Sequence, residues 1–263
     1  MDLDLHDRTA LVTGGSRGIG RAIARQLGRE GVRVAIVARS AEALRATALE
    51  LSASTGSTVM GFTADMGVAD DVARMTAEVA DALGPVDILV NNAATAAGRV
   101  APPPWLAVTG EDLGHEIDVK VLGYLRAAQA VAPAMIDRGW GRIINIGGQA
   151  AYRTGYAVGT IRNVAVAALT KNLADELGRH GITVTCVHPG LIRTVHSVTA
   201  PTPEEAEAAR RIEEAIPKSN AIRRILDVEH IADIVTFLAS PRSIALNGEV
   251  LAAGGGMPGT IRY

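Results

Sequence analysis

The stretch that decides the fold is Thr13-Gly14-Gly15-Ser16-Arg17-Gly18-Ile19-Gly20. The residues before it, Thr9 to Val12, are apolar or β-branched, which is typical of a buried strand. From residue 19 to residue 28, apolar residues recur at three- and four-residue steps, which predicts a helix. The stretch therefore lies where a strand turns into a helix.

The glycines of this turn predict phosphate binding. Gly14 would permit the tight bend, Gly18 would let the backbone approach a pyrophosphate, and Gly20 would allow the helix to pack closely on the strand. The helix N-terminus adds free N–H groups and the positive end of the helix dipole. The alternative is a glycine-rich turn without a ligand, but the flanking strand and helix favour a dinucleotide site.

The remaining chain alternates strands and helices. Runs that are apolar on both faces predict strands at Thr9 to Val12, Val32 to Val37, Thr58 to Phe62, Val86 to Val90, Arg142 to Ile146 and Ile182 to Val187, with a short last strand at Val250 to Ala252. Helical periodicity covers Ile19 to Gly28, Ala41 to Leu51, Ala69 to Leu83, Asp112 to Asp137 and Val158 to Leu177, and an acidic helix is predicted near Pro203 to Ile216. This order predicts one α/β domain over residues 1–263, a doubly wound parallel sheet of the Rossmann type.

Two longer stretches follow the carboxyl ends of predicted strands, where ligands bind in such sheets. The first is Thr95 to Gly110, and the second is a substrate-side loop over about 191–220. Loops of this length predict a shaped pocket for a small molecule.

The overall composition narrows the choice of partner. A net charge of -2 and a pI near 6.3 give no electrostatic reason to expect nucleic acid or an anionic membrane. We find no signal peptide and no run of about 18 apolar residues, so we expect a cytoplasmic protein. The single cysteine, Cys186, lies in an apolar run and is expected to be buried, and the six histidines show no ligand spacing, so no metal site is predicted.

The order of these motifs resembles the short-chain dehydrogenase/reductase family almost from end to end. The glycine turn matches TGxxxGIG, residues 91–94 resemble NNAG, and residues 141–146 resemble the fifth strand. Residues 170–177 and 188–194 match the end of the long helix and the loop after the sixth strand. The resemblance implies an NAD(P)-dependent enzyme that assembles as a homotetramer or homodimer on its two long helices.

The resemblance also implies where the cofactor would bind. Asp65-Met66 should border the adenine, Asn91 to Ala94 the ribose and the fourth strand, and Pro189 to Thr194 the nicotinamide. The predicted cofactor-binding residues are Gly14, Ser16, Arg17, Gly18, Ile19, Gly20, Arg39, Ser40, Asp65, Met66, Asn91, Ala93, Ala94, Pro189, Gly190, Ile192 and Thr194.

Charge at the end of the second strand favours NADP(H) over NAD(H). An NAD-selective site offers an acid to the ribose hydroxyls there, whereas this chain has Ala38-Arg39-Ser40. Arg39 cannot accept those hydrogen bonds, but together with Arg17 it can bind a 2'-phosphate. The alternative is that both arginines are solvated surface residues.

The family's usual catalytic residues are absent from their usual positions. The resemblance implies acid-base chemistry by a tyrosine, a lysine four residues later, a serine and an asparagine. Counting back from Thr170, the lysine position falls at Asn163 and the tyrosine position at Gly159. The serine position falls at Gly148 and the asparagine position at Lys120.

Four residues are candidates for the missing roles. Lys120 stands at the family's asparagine position and Asn163 at its lysine position, so the two residue types are interchanged. Both residues would face one active site from adjacent helices. The alternative is that both substitutions are coincidental sequence drift. Tyr156 lies just before a helix, and a nearby cation, Lys120 or Arg162, would stabilise its ionised form. Tyr152 is the second tyrosine in this segment, and both tyrosines are alternatively lining residues.

Three functions follow from this sequence. The first is an NADP(H)-dependent oxidoreductase with a non-standard active site, acting on a small, lipophilic carbonyl, alcohol or enoyl substrate. The second is a non-redox enzyme on the same fold, such as a cyclase, dehydratase or isomerase. The third is a catalytically silent cofactor-binding subunit. Fold alone does not choose among them.

Overall fold

The strands form where the sequence is apolar on both faces, because helices cover each side of the sheet. A computed structural model describes residues 2–94, 105–194 and 203–259. Its seven strands pair in parallel in the order β3-β2-β1-β4-β5-β6-β7. The strands are β1 (Thr9–Thr13), β2 (Arg33–Ala38), β3 (Val59–Thr63), β4 (Ile88–Asn91), β5 (Gly141–Ile146), β6 (Ile182–Pro189) and β7 (Val250–Ala253).

The helices fill the connections between the strands. They are α1 (Gly18–Arg29), α2 (Ala41–Thr55), α3 (Ala69–Leu83), α4 (Gly110–Glu116), α5 (Gly123–Arg138), α6 (Ala157–Leu177), α7 (Pro203–Ser219) and α8 (Val228–Ala239). The predicted helix Asp112 to Asp137 is therefore two helices, which a π-helical turn, Ile117–Leu122, joins end to end. Two 3-10 turns, Trp105–Ala107 and Gln149–Tyr152, precede α4 and α6.

One helix, α8, was missing from the sequence interpretation. It begins after Asp227, whose side chain takes part in a capping box with His230. Its buried positions, among them Ile231, Val235 and Leu238, recur at three- and four-residue steps. Both signals are present in the sequence, so this helix is predictable from local sequence alone and does not depend on tertiary packing.

Two hydrophobic cores lie on opposite faces of the sheet. The first packs α1, α2 and α8 on one face, and the second packs α3, α5 and α6 on the other. This arrangement confirms the predicted doubly wound α/β fold. The connection that follows β1 runs to β2, whereas the connection that follows β4 runs to β5 on the opposite side, so the strand order reverses between β1 and β4. In sheets of this kind, ligands bind at the carboxyl ends of the two strands where the order reverses. Among the described residues, no helix is both long enough and apolar enough to cross a bilayer.

Candidate active site

The glycine turn after β1 has the conformation that its sequence predicts. Gly14 and Gly18 have φ of +67° and +55°, the left-handed region that favours glycine. A Cβ atom at Gly20 would lie 2.3 Å from the carbonyl oxygen of Gly14, so a side chain would break the turn. At Gly18, by contrast, the methyl group of Thr194 is the one atom of the described residues that comes within 4 Å of such a Cβ atom. Among the described residues, no side chain therefore covers the backbone at Gly18.

Side chains from the end of β4 hold this turn. Asn92 Nδ2 donates to the carbonyl oxygens of Thr13 and Gly14, at 3.0 and 3.2 Å. The Thr13 hydroxyl oxygen accepts from the backbone N–H groups of Asn92 and Ala93, at 2.9 and 3.0 Å. The turn is thus fixed before any ligand binds. Asn92 lies within the predicted range Asn91 to Ala94 but was left out of the individual binding residues, although its position directly after a buried strand is a usable signal.

Asn91, the last residue of β4, has its side chain in the core. Its side chain is fully buried, and its Nδ2 donates to Asn145 Oδ1 on β5 at 3.0 Å and to the Tyr124 carbonyl oxygen at 3.2 Å. The side chain therefore joins two strands in the core, and a contact between residue 91 and a ribose stays a prediction. Successive residues of a strand point to opposite faces, which is why Asn91 and Asn92 have different environments.

The two arginines of the proposed phosphate site are both exposed. Neither forms an ion pair with another residue in the described ranges, so both guanidinium groups remain available there. Arg17 also precedes the first turn of α1, which carries no side-chain cap. The Ser40 hydroxyl, in contrast, caps α2 by accepting from Ala43 N at 3.3 Å.

The predicted adenine side is held by an acidic turn. Asp65 Oδ1 accepts from the backbone N–H of Gly67 at 2.9 Å. Arg126 Nη1 donates to the Gly67 carbonyl oxygen at 3.1 Å, and Arg126 also pairs with Asp118 at 2.9 Å. The Met66 side chain is buried, and its place beside the adenine stays a prediction.

The other predicted cofactor residues lie at the same carboxyl edge of the sheet. Gly190 N donates to the Ala253 carbonyl oxygen at 3.1 Å, which ties the loop after β6 to β7. The Ser16 carbonyl oxygen accepts from Thr47 Oγ1 at 3.2 Å. The other predicted residues at this edge are Ser16, Ile19, Ala93, Ala94, the buried Pro189 and Ile192, and the half-buried Thr194. Residues 95–104 and 195–202, which belong to the two predicted loops, lie outside the described residues.

Lys120 lies inside the π-helical turn and is 4% exposed. Its Nζ donates to the carbonyl oxygen of Gly147, at the carboxyl end of β5, at 3.0 Å. Burial, together with the positive charge of Arg162, lowers the pKa of Lys120 to about 7. The ammonium group therefore changes its charge near neutral pH.

A buried ion pair accompanies Lys120. Arg162 Nη1 on α6 donates to the carboxylate of Glu116 at the end of α4. Arg162 is 5% exposed, and its Nε has no hydrogen-bond partner in the described part of the chain. The pair joins α4 to α6 and balances one positive charge beside Lys120.

Asn163 lies next to the end of β5. Its side chain is buried, and its Nδ2 would be 3.1 Å from a Cβ atom at Gly148. The Lys120 ammonium contacts Gly147, one residue earlier, so the two predicted residues do approach the same segment from adjacent helices.

Tyr156 lies directly before α6, with its ring against Gly159. A Cβ atom at Gly159 would lie 2.3 Å from Tyr156 Cδ1 and 2.4 Å from Cε1. The tyrosine ring thus occupies the volume that a side chain at residue 159 would need. Residues three apart are neighbours on a helix, which explains the contact.

Tyr152 faces a different partner from Tyr156. Its ring centroid lies 5.2 Å from that of His188, with 54° between the ring planes. His188 is buried against Gly147, where a Cβ atom would lie 2.4 Å from its Nε2. His188 was missing from the predicted site, and its position just before Pro189-Gly190 was the only signal.

Cys186 is buried, as predicted from its apolar surroundings. Burial raises the pKa of its thiol to about 12. The described residues contain no group of three or more histidine, cysteine, aspartate or glutamate side chains that could hold a metal ion.

Comparison with known proteins gives one family. Residues 8–240 match the short chain dehydrogenase family. The chain is 34% identical over 263 residues to the short-chain reductase protein NovJ of Streptomyces niveus, covering 96% of this chain and 94% of that protein. The structure is similar to L-sorbose reductase of Gluconobacter frateurii, solved with NADPH and L-sorbose, with a TM-score of 0.89, 27% identity and coverage of 99% and 100% of the two chains. It is also similar to YwfH, an NADPH-dependent reductase of bacilysin biosynthesis, with a TM-score of 0.85, 26% identity and coverage of 97% and 99%. The chain belongs to the short-chain dehydrogenase/reductase family.

Proposed function

We propose that this protein is an NADP(H)-dependent oxidoreductase acting on a small, lipophilic carbonyl, alcohol or enoyl substrate. The observation that carries the proposal is that polar side chains from other positions occupy the volume beside two glycines. Tyr156 occupies the volume beside Gly159, and Asn163 occupies the volume beside Gly148. Polar side chains from other positions thus lie beside the two glycines at which the resemblance implies the family's tyrosine and serine.

The residues at the carboxyl edge fit a nicotinamide dinucleotide phosphate. The open backbone at Gly18 and the uncapped first turn of α1 suit a pyrophosphate. The exposed Arg17 and Arg39 suit a 2'-phosphate. When bound, this cofactor supplies or takes up the hydride. The similarity to two reductases whose names include NADPH supports this choice.

In this proposal the chain's own residues handle the proton. Tyr156 would hold it on Oη and give it to the substrate oxygen during reduction. Lys120 and the Glu116–Arg162 pair set the charge of the surrounding pocket. Of the two alternatives from the sequence, a silent subunit would need no proton donor, and a non-redox enzyme would need no hydride from the cofactor.

Arg39→Asp is expected to weaken NADPH binding by about 10- to 100-fold, because charge-assisted hydrogen bonds contribute about 1.5–3 kcal/mol. NADH binding should stay the same or become tighter. Titration of the cofactor's fluorescence on the purified protein measures both affinities. Arg45→Asp is the matched control, since Arg45 is also exposed and lies six residues further along the chain. Equal affinity of the unmodified protein for NADPH and NADH would contradict the proposed cofactor preference.

We also propose a homotetramer built on α5 and α6. Apolar side chains are exposed on and beside these helices, among them Leu122, Ile161 and Val164. Light scattering during size-exclusion chromatography should give four times the chain mass. Val164→Glu should shift the distribution to smaller species, because it places a charge in the interface. A monomeric unmodified protein would refute this assembly.

A further inference from the structure

One arginine joins the 65–67 turn, which the resemblance places beside the adenine, to the π-helical turn before α5. Arg126 Nη1 on α5 donates to the Gly67 carbonyl oxygen at 3.1 Å. Arg126 Nη2 pairs with Asp118 Oδ1, inside the π-helical turn, at 2.9 Å. The guanidinium group thus binds a backbone carbonyl and a carboxylate with two different nitrogens, which its planar fork of donors allows.

Two glycines show how closely the two turns pack. A Cβ atom at Gly67 would lie 3.1 Å from Asp118 Oδ2, and one at Gly123 would lie 2.8 Å from the Met66 carbonyl oxygen. Neither glycine has a positive φ, so backbone conformation does not explain either of them. The glycines instead leave the space in which the 65–67 turn approaches the start of α5.

The 65–67 turn is held from its other side by α3. Asp65 N donates to Asp71 Oδ2, in the first turn of that helix, at 3.0 Å. Within the 65–67 turn, Gly67 N donates to Asp65 Oδ1 at 2.9 Å. These bonds fix the shape of the turn and its distance from α3. The contact with Arg126 fixes its distance from α5.

The π-helical turn has a second anchor, at the predicted catalytic end of the site. Lys120 Nζ donates to the Gly147 carbonyl oxygen at the end of β5, whereas Asp118 faces the 65–67 turn. Removal of Arg126 leaves the contact of Lys120 in place. An effect of Arg126 should therefore concern the adenosine half of the cofactor and not the hydride transfer.

We infer that Arg126 is a positioning residue for the cofactor. It holds the 65–67 turn against the π-helical turn, so that the 65–67 turn is already in place when the adenosine half of NADPH arrives. A turn that is ordered in advance adds affinity, because its ordering no longer opposes binding. This inference rests on the proposed function.

Arg126→Met keeps an unbranched side chain and removes both donors. We expect the Kd of NADPH to rise by about 3- to 30-fold, and the Kd of adenosine 2',5'-bisphosphate, the adenosine half alone, to rise by the same factor. The Kd of reduced nicotinamide mononucleotide, the other half, should be unchanged. Fluorescence titration measures the two reduced nucleotides, and competition against NADPH measures the bisphosphate. With a small ketone as substrate, kcat at saturating NADPH should also be unchanged.

Hydrogen exchange tests the positioning without any cofactor. In Arg126→Met, the amide hydrogens of residues 65–68 should exchange about tenfold faster than in the unmodified protein, because the turn has lost its contact with α5. Exchange in β1, which Arg126 does not touch, should be unchanged. Mass spectrometry of peptides from the exchanged protein measures both regions.

Arg138→Met is the matched control, because Arg138 lies on the same helix and has the same two kinds of partner. Its Nη2 donates to the Val86 carbonyl oxygen at 2.8 Å and to Asp87 Oδ1 at 3.3 Å. These partners precede β4, at the opposite edge of the sheet from the predicted cofactor site. We expect Arg138→Met to bind NADPH and both of its halves with unchanged affinity.

Two further variants examine the contact itself. Arg126→Lys keeps the charge but not the fork of donors, so it should recover part of the lost affinity for adenosine 2',5'-bisphosphate. Asp118→Asn should weaken the bisphosphate less than Arg126→Met does. Adding Asp118→Asn to Arg126→Met should cause little further loss, because both changes act on one contact.

The outcomes distinguish this inference from the function beneath it. If the unmodified protein binds no NADPH or reduces no ketone, the proposed function fails. If it does both and Arg126→Met binds NADPH equally well, only the inference fails. An equal loss of affinity for both halves of the cofactor, or unchanged hydrogen exchange in the 65–67 turn, also overturns the inference. If Arg126→Met does not fold, Arg126→Lys and Asp118→Asn carry the same comparison of the two halves.

Discussion

Tyr156→Phe should lower kcat by about 10²- to 10⁴-fold, the usual contribution of a general acid, and leave the affinity for NADPH unchanged. The expectation follows from the position of the ring against Gly159, the residue at which the resemblance implies the family's tyrosine. Phenylalanine keeps the ring and its packing and removes only the hydroxyl group, which carries the proton. Steady-state NADPH oxidation and fluorescence titration give the two quantities.

Tyr152→Phe is the matched variant, because it makes the same chemical change four residues earlier. Its ring contacts His188 rather than Gly159, so we expect a smaller effect on kcat. A large loss of kcat in Tyr152→Phe with full activity in Tyr156→Phe would assign the role of proton donor to Tyr152 instead. Moving the ring, by combining Tyr156→Ala with Gly159→Tyr, should restore part of the activity if ring position decides.

Lys120→Met should stabilise the protein more at pH 6 than at pH 9, by about 2.5 kcal/mol in the free energy of unfolding. The native pKa of Lys120 is about 7, whereas the unfolded chain has the ordinary value of 10.5. Between these values the unfolded state binds more protons, so the lysine's destabilising effect fades as pH rises. Below pH 7 the buried ammonium destabilises the native state most, and methionine removes that cost.

Urea unfolding of both proteins at several pH values measures this difference. Lys171→Met is the control, since Lys171 is exposed on α6 and pairs with Asp175 on the surface. Its effect should not depend on pH over this range. A stability difference for Lys120→Met that is the same at pH 6 and pH 9 would show that Lys120 keeps its ordinary pKa.

The sequence predicted the fold because its strongest signals are local. Strands buried on two faces and glycine turns are recognisable from composition and spacing alone, and the described strands and helices lie close to the predicted bounds. The omission of α8 was avoidable, since Asp227 and the apolar spacing after it are ordinary helix signals.

The site was harder to predict because a sequence motif does not determine the direction in which each side chain points. Asn91 and Asn92 are adjacent in the sequence, yet one joins β4 to β5 in the core and the other holds the glycine turn. The contact of Tyr156 with Gly159 follows from helix spacing, but the approach of Asn163 to Gly148 depends on how α6 packs on β5. That Lys120 and Asn163 both approach one segment, Gly147-Gly148, therefore could not be predicted from the sequence and is known only from the structure.

The π-helical turn between α4 and α5 has a consequence for how this helix pair is aligned. Gly123 N donates to the carbonyl oxygen of Asp118, five residues earlier, so the turn holds one residue more than an α-helical turn. One residue corresponds to about 100° of rotation in an α-helix. The two halves of the long helix can therefore face different neighbours. Residues before the turn present Glu116 to α6, while α5 buries its apolar side against the sheet. Loss of a single residue here would rotate one half relative to the other, so the spacing of this segment constrains the site as strictly as the identity of Lys120.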